Sequence, residues 1–333
     1  MPEIVLPVAG SAPRPVPAQG PPPPCSPAPR PSRPRVAAAE RGRDFRSRIG
    51  VDRAGGYYPA PHRYLVYLCP GCPDSLRVAI TLDLLAPAAP GEPAAPGLPA
   101  APDRATTGAC LVLPADTPEG HGSLRAAYEA TLHHYDGPLT VPALCDRWSG
   151  RIVSNHTPDI LRDLVEHLST PRRDRAAGPG GHLPDLRPPR LAAEIDALHD
   201  LLRADVTGAA RLAGTDPDAQ RREEAHRTLL QALDRLDRRL AGSPYALGED
   251  LTAADVDLWV ALVELDLVLR PRLDAATADR VAGHDRLRAY VRRLHGHPAF
   301  HGNLRADDMA RPHRGPGTPS GGGTGWIDHR DGA

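Results

Sequence analysis

The sequence predicts two folded parts, an α/β domain followed by an all-α domain. Short β-prone runs alternate with helix-like segments in the first half, beginning with the strand Tyr64–Leu68 and the helix-like segment Asp74–Leu85. Beyond a stretch rich in Pro, Gly and Arg, the apolar spacing becomes helical and stays so. The segments with helical spacing are Leu191–Arg203, Arg221–Leu240, Ala253–Leu269 and Asp285–Leu294. Since no strand signal of comparable strength interrupts them, the second half reads as an all-α domain.

The length and the net charge of the chain limit the classes of function that are possible. The 333 residues suffice for one large or two ordinary domains with real cores. The 40 basic and 41 acidic residues nearly cancel, which argues against nucleic acid or a membrane surface as a partner. Every basic residue is Arg, and we attribute this first to the codon usage of a GC-rich genome.

Cysteine usage and hydropathy point to a compartment. The 5 cysteines are odd in number and irregularly spaced, which favours a reducing compartment over a disulfide scaffold. No apolar run approaches the roughly 18 residues of a membrane span, and the N-terminus lacks the features of a secretory signal. We therefore expect a cytoplasmic protein with no membrane partner.

Composition sets the predicted domain boundaries. The N-terminal arm is rich in proline and reads as disordered or polyproline II, and Cys25 within it has no evident partner. The C-terminal tail is rich in Gly and Pro. The expected segments are the arm 1–44, a thioredoxin-like domain 45–169, a linker 170–190, an all-α domain 191–311 and a flexible tail 312–333.

The first half contains the motif Cys69-Pro-Gly-Cys72, which follows the β-prone run and precedes a helix-like segment. A strand that ends in a cysteine-bearing turn at a helix start is a thioredoxin-type arrangement. The amide groups and dipole of a helix start favour a thiolate, which is the nucleophilic form of cysteine.

The two prolines decide which cysteine lies at the helix start. With Cys69 as the cap, Pro73 would occupy the fourth position and destabilise the helix by about 3 kcal/mol. With Cys72 as the cap, Pro73 takes the first position, where its missing N–H has no consequence. Cys72 is therefore the predicted nucleophile. Cys69 is either a resolving thiol or a buried cysteine at the end of a strand.

A hairpin and a helix start follow in the chain. The run Leu139–Leu144 and the run Arg151–Val153 predict two strands joined by a turn, with Val141-Pro142 at an edge or in a cis bond. Thr157 before Pro158 predicts a helix N-cap, and the start of that helix is suited to bind a carboxylate.

Other polar and cysteine residues are assigned structural roles. Thr252 and Asp255 have the spacing of a capping box. Cys110 lies in the β-prone run Cys110–Leu113, where a small buried hydrophobe is expected. His133 and His134 are adjacent, but no further ligand at a suitable spacing is evident, so no metal site is predicted.

Taken together, these motifs resemble those of the glutathione transferases, and more closely those of the xi class, the glutathionyl-hydroquinone reductases. That class carries Arg-Tyr followed by Cys-Pro-Trp-Ala-His-Arg, and this chain matches it in register with Arg63-Tyr64 and Cys72-Pro73-Asp74-Ser75-Leu76-Arg77. The resemblance covers roughly residues 45 to 310. Its other motifs are Phe45-Arg…Ile49, Thr140-Val-Pro142-Ala-Leu144-Cys-Asp146, Pro184-Asp-Leu186, Tyr245-Ala-Leu-Gly248, Leu251-Thr-Ala-Ala-Asp255 and Leu262…Asp266.

The resemblance implies a set of site residues and partners. Cys72 falls on the nucleophilic cysteine of the class, and a small-molecule thiol, glutathione, would be the cofactor-like substrate. Its predicted binding residues are Pro73, Arg77, Val141, Pro142, His156 and Thr157. Mycothiol is the alternative thiol if the host is a GC-rich actinomycete. The second substrate would be hydrophobic or aromatic, and a homodimer is the assembly implied.

Several positions depart from the pattern of the class. The Trp after Cys-Pro is Asp74 here, and an anion beside Cys72 opposes thiolate formation. The Asn-Glu-Ser segment that grips glutathione is Asn155-His156-Thr157, in which a histidine replaces the carboxylate. Two tyrosines that face the quinol are also missing, because the corresponding segments are Thr207–Arg211 and Arg311–His313.

The predicted function is thiol-dependent reductive exchange on a small aromatic or quinone-like substrate, carried by Cys72. Retention of Cys72-Pro73 and Val141-Pro142 favours this hypothesis. The alternative is a transferase fold without catalysis, kept as a binding or interaction module, and the missing Trp and Tyr positions favour it.

Overall fold

A computed structural model describes residues 43–50, 56–60, 62–85, 110–168, 184–310 and 326. Nearly all of the predicted arm, most of the linker and the tail apart from Trp326 lie outside the described residues, as do Cys25 and Arg311–His313. Within the described helices, none combines the length and the apolar character needed to cross a bilayer.

Four strands form one mixed sheet in the order β2-β1-β3-β4. They are β1 (Tyr64–Leu68), β2 (Cys110–Pro114), β3 (Ala143–Asp146) and β4 (Arg151–Ser154). β1 pairs in parallel with β2 and antiparallel with β3, which pairs antiparallel with β4. The predicted strand from Leu139 begins later than expected, at Ala143, because Pro142 has no N–H to donate to a ladder.

Three helices cover the two faces of the sheet: α1 (Pro73–Leu85), α2 (Pro118–Thr131) and α3 (Thr157–His167). Alternate residues of β1 point to opposite faces, so that Val66 packs in the large core with α1 and α3, whereas Tyr67 packs in a smaller core with α2. This is the predicted thioredoxin-like layering. α2 begins five residues before the predicted Ser123 because the Thr117 side chain accepts a hydrogen bond from the Gly120 N–H and caps it.

The second half is helical among its described residues, as predicted, and its helices share the large core with α1 and α3. The predicted helix Ala253–Leu269 is α-helical only to Glu264 and continues as the π-helical turn Leu265–Leu269. A second π-helical segment, Leu202–Gly208, interrupts the helix that starts at Ala192. The α-helices are α4 (Ala192–Leu201), α5 (Ala209–Thr215), α6 (Ala219–Arg239), α7 (Ala253–Glu264), α8 (Ala275–Ala282), α9 (Asp285–His295), α10 (Pro298–His301) and α11 (Ala306–Ala310).

The capping box at the start of α7 is present as predicted. The Asp255 carboxylate accepts from the Thr252 N–H and hydroxyl at 2.8 and 3.1 Å, and its other oxygen accepts from the Ala246 N–H and the Tyr290 hydroxyl, each at 2.7 Å. Burial raises the pKa of Asp255, against these hydrogen bonds. With four donors on one buried carboxylate, Thr252 and Asp255 fix the start of the most buried helix.

A buried ion pair joins the beginning of β1 to the end of β3. Arg63 and Asp146 are 5% and 2% exposed, and the guanidinium donates to both carboxylate oxygens at 2.7 and 3.1 Å. The guanidinium also lies 4.5 Å from the ring centroids of Tyr58 and Trp148. This one contact joins Arg63 of the Arg63-Tyr64 motif to Asp146, the last residue of the motif that begins at Thr140, although the two residues are 83 apart in sequence.

Replacing Asp146 by Asn should lower the free energy of unfolding by about 3 kcal/mol, since it leaves a buried guanidinium without its anion. The control is Ser149→Ala, which removes only the hydroxyl that donates to Asp146 at 2.8 Å and should cost about 1 kcal/mol. Urea unfolding of both variants measures the difference. Equal losses for the two would contradict a structural role for the ion pair.

Candidate active site

Three segments that carry predicted site residues meet at one edge of the sheet. Tyr67 near the end of β1 pairs with Ala143 at the start of β3, and Leu144 pairs with Ser154 at the end of β4. The turn after β1, the loop before β3 and the segment after β4 therefore lie side by side. They hold the Cys69–Cys72 motif, Val141-Pro142 and His156-Thr157 respectively.

Cys72 lies at the N-terminal end of α1, as the proline argument predicts. The helix begins at Pro73, and the first helical hydrogen bond runs from the Leu76 N–H to the Cys72 carbonyl at 2.9 Å. The thiol is half-buried and free, with Sγ 3.8 Å from the Val141 carbonyl oxygen. The cysteine and the loop before β3 thus form a single site.

Ser75 is a site residue that the sequence analysis missed. Its hydroxyl accepts from the Cys69 N–H at 3.1 Å, and its hydroxyl and backbone N–H both lower the pKa of Cys72. Ser75 is 3% exposed, so water does not compete well for this contact. It occupies the third position after the cap, where polar side chains fold back onto a helix start, and that spacing is a signal the sequence contains.

The environment of Cys72 nevertheless raises the pKa of its thiol. Burial is the largest cause, and the negative charge of Asp74 is the second. Hydrogen bonds from Ser75 and from the Asp74 N–H act in the opposite direction. The expected opposition between Asp74 and the helix start is therefore present, with burial as a third and larger contribution.

The pKa of the Cys69 thiol is raised as well. Burial raises its pKa to about 12, with further contributions from Cys72, Asp116 and Asp308. The Cys72 N–H donates to the Cys69 carbonyl at 3.3 Å across a tight turn, in which Gly71 has a φ of +78°. A turn of this kind holds its end residues within the separation that a disulfide requires.

The other side of that turn packs against the C-terminal helix α11. A Cβ at Gly71 would lie 2.5 Å from the Asp308 carbonyl carbon and 2.8 Å from the Met309 nitrogen. Both the positive φ and this close approach restrict the position to glycine. The helical domain therefore covers the Cys69 side of the motif.

The loop before β3 is tied to the segment after β4. The Val141-Pro142 peptide is cis, one of the two alternatives predicted. Asn155 donates to the Thr140 hydroxyl at 3.0 Å, and the Tyr128 hydroxyl donates to the Thr140 carbonyl at 2.9 Å. These bonds fix the loop that faces Cys72.

The start of α3 differs by one residue from the prediction. Thr157 is the first helical residue and His156 is the N-cap, because His156 has an extended backbone and Thr157 does not. His156 Nδ1 lies 3.1 Å from Asp159 Oδ2, and Arg46 donates to both oxygens of that carboxylate at 2.8 and 3.1 Å. The histidine in place of the expected carboxylate is thus paired with an acid of its own helix.

Arg77 is part of a buried network rather than a free cation. Its guanidinium donates to Asp74 at 2.9 Å and to Asp257 of α7 at 3.1 Å, and the attraction of these acids keeps its pKa raised against burial. The second oxygen of Asp257 lies 3.1 Å from His199 Nδ1 on α4. Asp257 and His199 were not predicted, because only a tertiary contact brings them to Arg77.

The segment in place of the first missing tyrosine ends in an ion pair. Arg211 pairs with Glu264, whose side chain is 5% exposed, while the Arg211 side chain is 58% exposed. The Thr207 hydroxyl is turned back to the Arg203 carbonyl at 3.2 Å. The segment thus presents a guanidinium where the class presents a phenol.

Comparison with known proteins gives a consistent result. A model of the glutathione S-transferase C-terminal domain matches residues 219–293, from α6 to α9. Glutathionyl-hydroquinone reductase YqjG of Escherichia coli is 33% identical over 144 residues, which make up 42% of this chain and 42% of that protein. Glutathionyl-hydroquinone reductase PcpF of Sphingobium chlorophenolicum is 27% identical over 274 residues, 77% of this chain and 82% of that protein.

Solved structures extend the likeness over both halves. The xi glutathione transferase of Phanerochaete chrysosporium superposes with a TM-score of 0.59 at 25% identity, over 85% of this chain and 98% of that one. The chain is thus similar to glutathione transferases in both its helical half and its overall fold. The resemblance to the xi class and the fold of a thioredoxin-like domain followed by an all-α domain are both confirmed. Glutathione-bound YqjG shares this transferase fold, with a TM-score of 0.59 at 23% identity over 81% of this chain and 87% of that one.

Replacing Asp74 by Asn should speed alkylation of Cys72 at neutral pH, because it removes the charge that raises the pKa of the thiol. Iodoacetamide labelling, followed by peptide mass spectrometry that separates Cys72 from the other cysteines, measures the rate. Glu119→Gln makes the same charge change in the first turn of α2 and is the control. An unchanged rate in the Asp74 variant would contradict the assignment.

Replacing His199 by Gln should lower stability more at pH 6 than at pH 9. The hydrogen bond to Asp257 raises the pKa of His199 against desolvation, so its contribution is full below the ordinary pKa near 6.5 and is lost as pH rises through the folded pKa. We expect a loss of about 1.5 kcal/mol at pH 6. Urea unfolding at the two pH values, with exposed His62→Asn as control, tests this; equal losses at both would oppose it.

Proposed function

We propose that this chain is a thiol-dependent reductase of the transferase superfamily, in which Cys72 removes a thiol substituent from a small aromatic or quinone-like substrate. The observation that supports it is the placement of the Cys72 sulfur at a helix start, within reach of the Ser75 hydroxyl and opposite the Val141 carbonyl. The reductases YqjG and PcpF support the choice of substrate class.

The proposed reaction has two steps, both of which use only thiol chemistry. The Cys72 thiolate attacks the sulfur of a glutathionylated hydroquinone, the carbon–sulfur bond breaks, and a sulfur–sulfur bond forms between Cys72 and glutathione. The aromatic carbon takes the electron pair and a proton and leaves as the reduced hydroquinone. A second glutathione thiolate then attacks the mixed disulfide, which releases oxidised glutathione and regenerates the Cys72 thiolate.

The proton for the aromatic carbon must come from a donor other than the two tyrosines. The guanidinium of Arg211 offers hydrogen-bond donors that can orient an anion or an oxygen of the substrate, but arginine does not serve as a general acid. Solvent reaching an accessible cleft is the simplest donor. The lost phenols then reduce the rate of the first step without changing its products.

The thiol substrate would bind at the edge of the sheet that holds Val141, Pro142, His156 and Thr157. Backbone groups of the loop before β3 and the start of α3 suit the peptide-like body and a carboxylate of glutathione. The Asp159 carboxylate at this helix start is paired with Arg46 and lies 3.1 Å from His156, so it is not free to hold an ammonium group as the carboxylate of the class does. Mycothiol has no such ammonium, and it is the second thiol to test.

The cell context belongs to the same proposal. Thiol exchange of this type needs a reducing compartment, and the cytoplasm provides the millimolar thiol pool that regenerates Cys72. A homodimer is the assembly that the family resemblance implies.

The test compares wild type, Cys72→Ser and Cys69→Ser in turnover of a glutathionylated hydroquinone, with glutathione and then mycothiol as the reducing thiol. We expect no turnover in the Cys72 variant and reduced turnover in the Cys69 variant. Mass spectrometry of the intact chain during turnover should show a thiol adduct on Cys72. A longer lifetime of that adduct in the Cys69→Ser variant than in wild type would identify Cys69 as a resolving thiol.

The control is Cys145→Ser, which removes a buried cysteine of β3 that has no role in the proposed steps. Unchanged turnover in the Cys72 variant would rule out the mechanism. A wild-type protein that binds the thiol and the hydroquinone but turns over neither would point to the binding-module alternative.

A further inference from the structure

A second group of chemically active side chains lies at the C-terminal end of α2. Glu129, His133 and His134 each offer one ligand atom, and these atoms all lie within 4.8 Å of one another. All three residues are exposed. His133 Nδ1 is 3.6 Å from Glu129 Oε1, and the centroids of the two imidazole rings are 3.8 Å apart.

Glu129 is held in position by the backbone. One carboxylate oxygen accepts from the His134 N–H at 2.8 Å and the other from the Tyr135 N–H at 3.0 Å. These bonds orient the carboxylate and leave further lone pairs on both oxygens. The carboxylate is therefore still able to bind a cation.

His134 has a backbone conformation that serves the same arrangement. Its φ is +59°, in the left-handed region that few residues other than glycine adopt, with Asn, Asp and His the most frequent among them. This reverses the chain directly after the helix and brings the His134 side chain next to that of His133. Glu129, one helical turn before His133, was not predicted as a third ligand from the sequence.

We propose that Glu129, His133 and His134 form a binding site for a divalent transition metal ion of the zinc, nickel and copper group. Two imidazoles and one carboxylate are the ligands these ions take, and this is the ligand set of zinc sites that keep one position open. Calcium and magnesium prefer sets made of oxygen alone and are excluded. The proposal does not depend on the reaction at Cys72.

Metal binding here would stabilise the loop that faces Cys72. The residue after His134 is Tyr135, whose hydroxyl donates to the Pro138 carbonyl at 2.7 Å and whose ring lies 4.8 Å from the ring centroid of Tyr128. Tyr128 in turn holds Thr140. A metal ion that holds residues 129–134 should therefore stabilise the adjoining loop as well, because a ligand that binds only the folded form shifts the equilibrium towards that form.

The test is titration of the full chain with Zn²⁺ by isothermal calorimetry, with the thiols reduced, followed by Co²⁺ absorption spectra. We expect one equivalent of Zn²⁺ in wild type that is weakened at least tenfold in His133→Gln and in His134→Asn. Asn accepts a positive φ, so the second variant keeps the turn. His133 is 82% exposed at its side chain, so its replacement leaves the fold unchanged.

The matched control is His62→Asn, since His62 is also exposed and has a φ of +56° but belongs to no ligand group among the described residues. It should keep the wild-type affinity. The Co²⁺ spectrum should show the visible bands of nitrogen and oxygen ligation and lose them in both His133 and His134 variants. Equal binding by all four proteins, or binding seen only as thiolate-to-cobalt charge transfer, would overturn the proposal.

Discussion

The guanidinium of Arg77 makes a buried polar contact that joins the helix carrying Cys72 to the helical half, within the core that the two halves share. It sits in the second turn of the helix that carries Cys72, is 8% exposed, and donates both to Asp74 of its own helix and to Asp257 of α7. A buried cation is tolerated only when anions surround it, so the Cys72 helix and α7 are held in one relative position. His199 on the far side of Asp257 extends the same network to α4.

The presence of Asp74 follows from the same network. At this position the xi class has an aromatic residue, and here a carboxylate beside the proposed nucleophile raises the pKa of Cys72. Its charge is shared with Arg77, whose guanidinium lies between the acid of α1 and that of α7. Because Asp74 is paired with Arg77, it raises the pKa of Cys72 less than an unpaired carboxylate would. It also helps to neutralise Arg77, since the other acid on that guanidinium, Asp257, is shared with His199.

The features that the sequence predicted are those set by local chemistry. Pro73 marks the start of α1 because its missing N–H has no consequence only in the first turn. The capping box is recognised from the spacing of three residues between Thr252 and Asp255. The predicted start of α3 was one residue late, because Thr157, the expected cap, is the first helical residue and Pro158 is the second. The contacts of Arg77 with Asp257 span 180 residues, and no local pattern encodes them.

The close packing of α11 on Gly71 is a second feature that no local sequence pattern encodes. A positive φ in a Pro-Gly turn is predictable, but the approach of Asp308 and Met309 to the same glycine is set by the whole helical domain. The metal ligands were missed for a different reason. Glu129 lies at a helical spacing from His133, but the reversal at His134 that completes the group is absent from any helix pattern.

The raised pKa of Cys72 is less damaging to thiol exchange than the thiolate fraction alone implies. Each unit of pKa above the working pH lowers that fraction about tenfold but raises the intrinsic nucleophilicity of the thiolate about threefold, so the attack slows by roughly threefold. The opposite holds for the proposed regeneration step, in which Cys72 would be the leaving group and a higher pKa slows its departure. Ser75 and the helix-start amides stabilise the departing thiolate, and a bound substrate that excludes water strengthens those hydrogen bonds. Burial therefore has two effects. It raises the pKa of the free Cys72 thiol, and it strengthens the hydrogen bonds that would stabilise the Cys72 thiolate as it leaves the mixed disulfide.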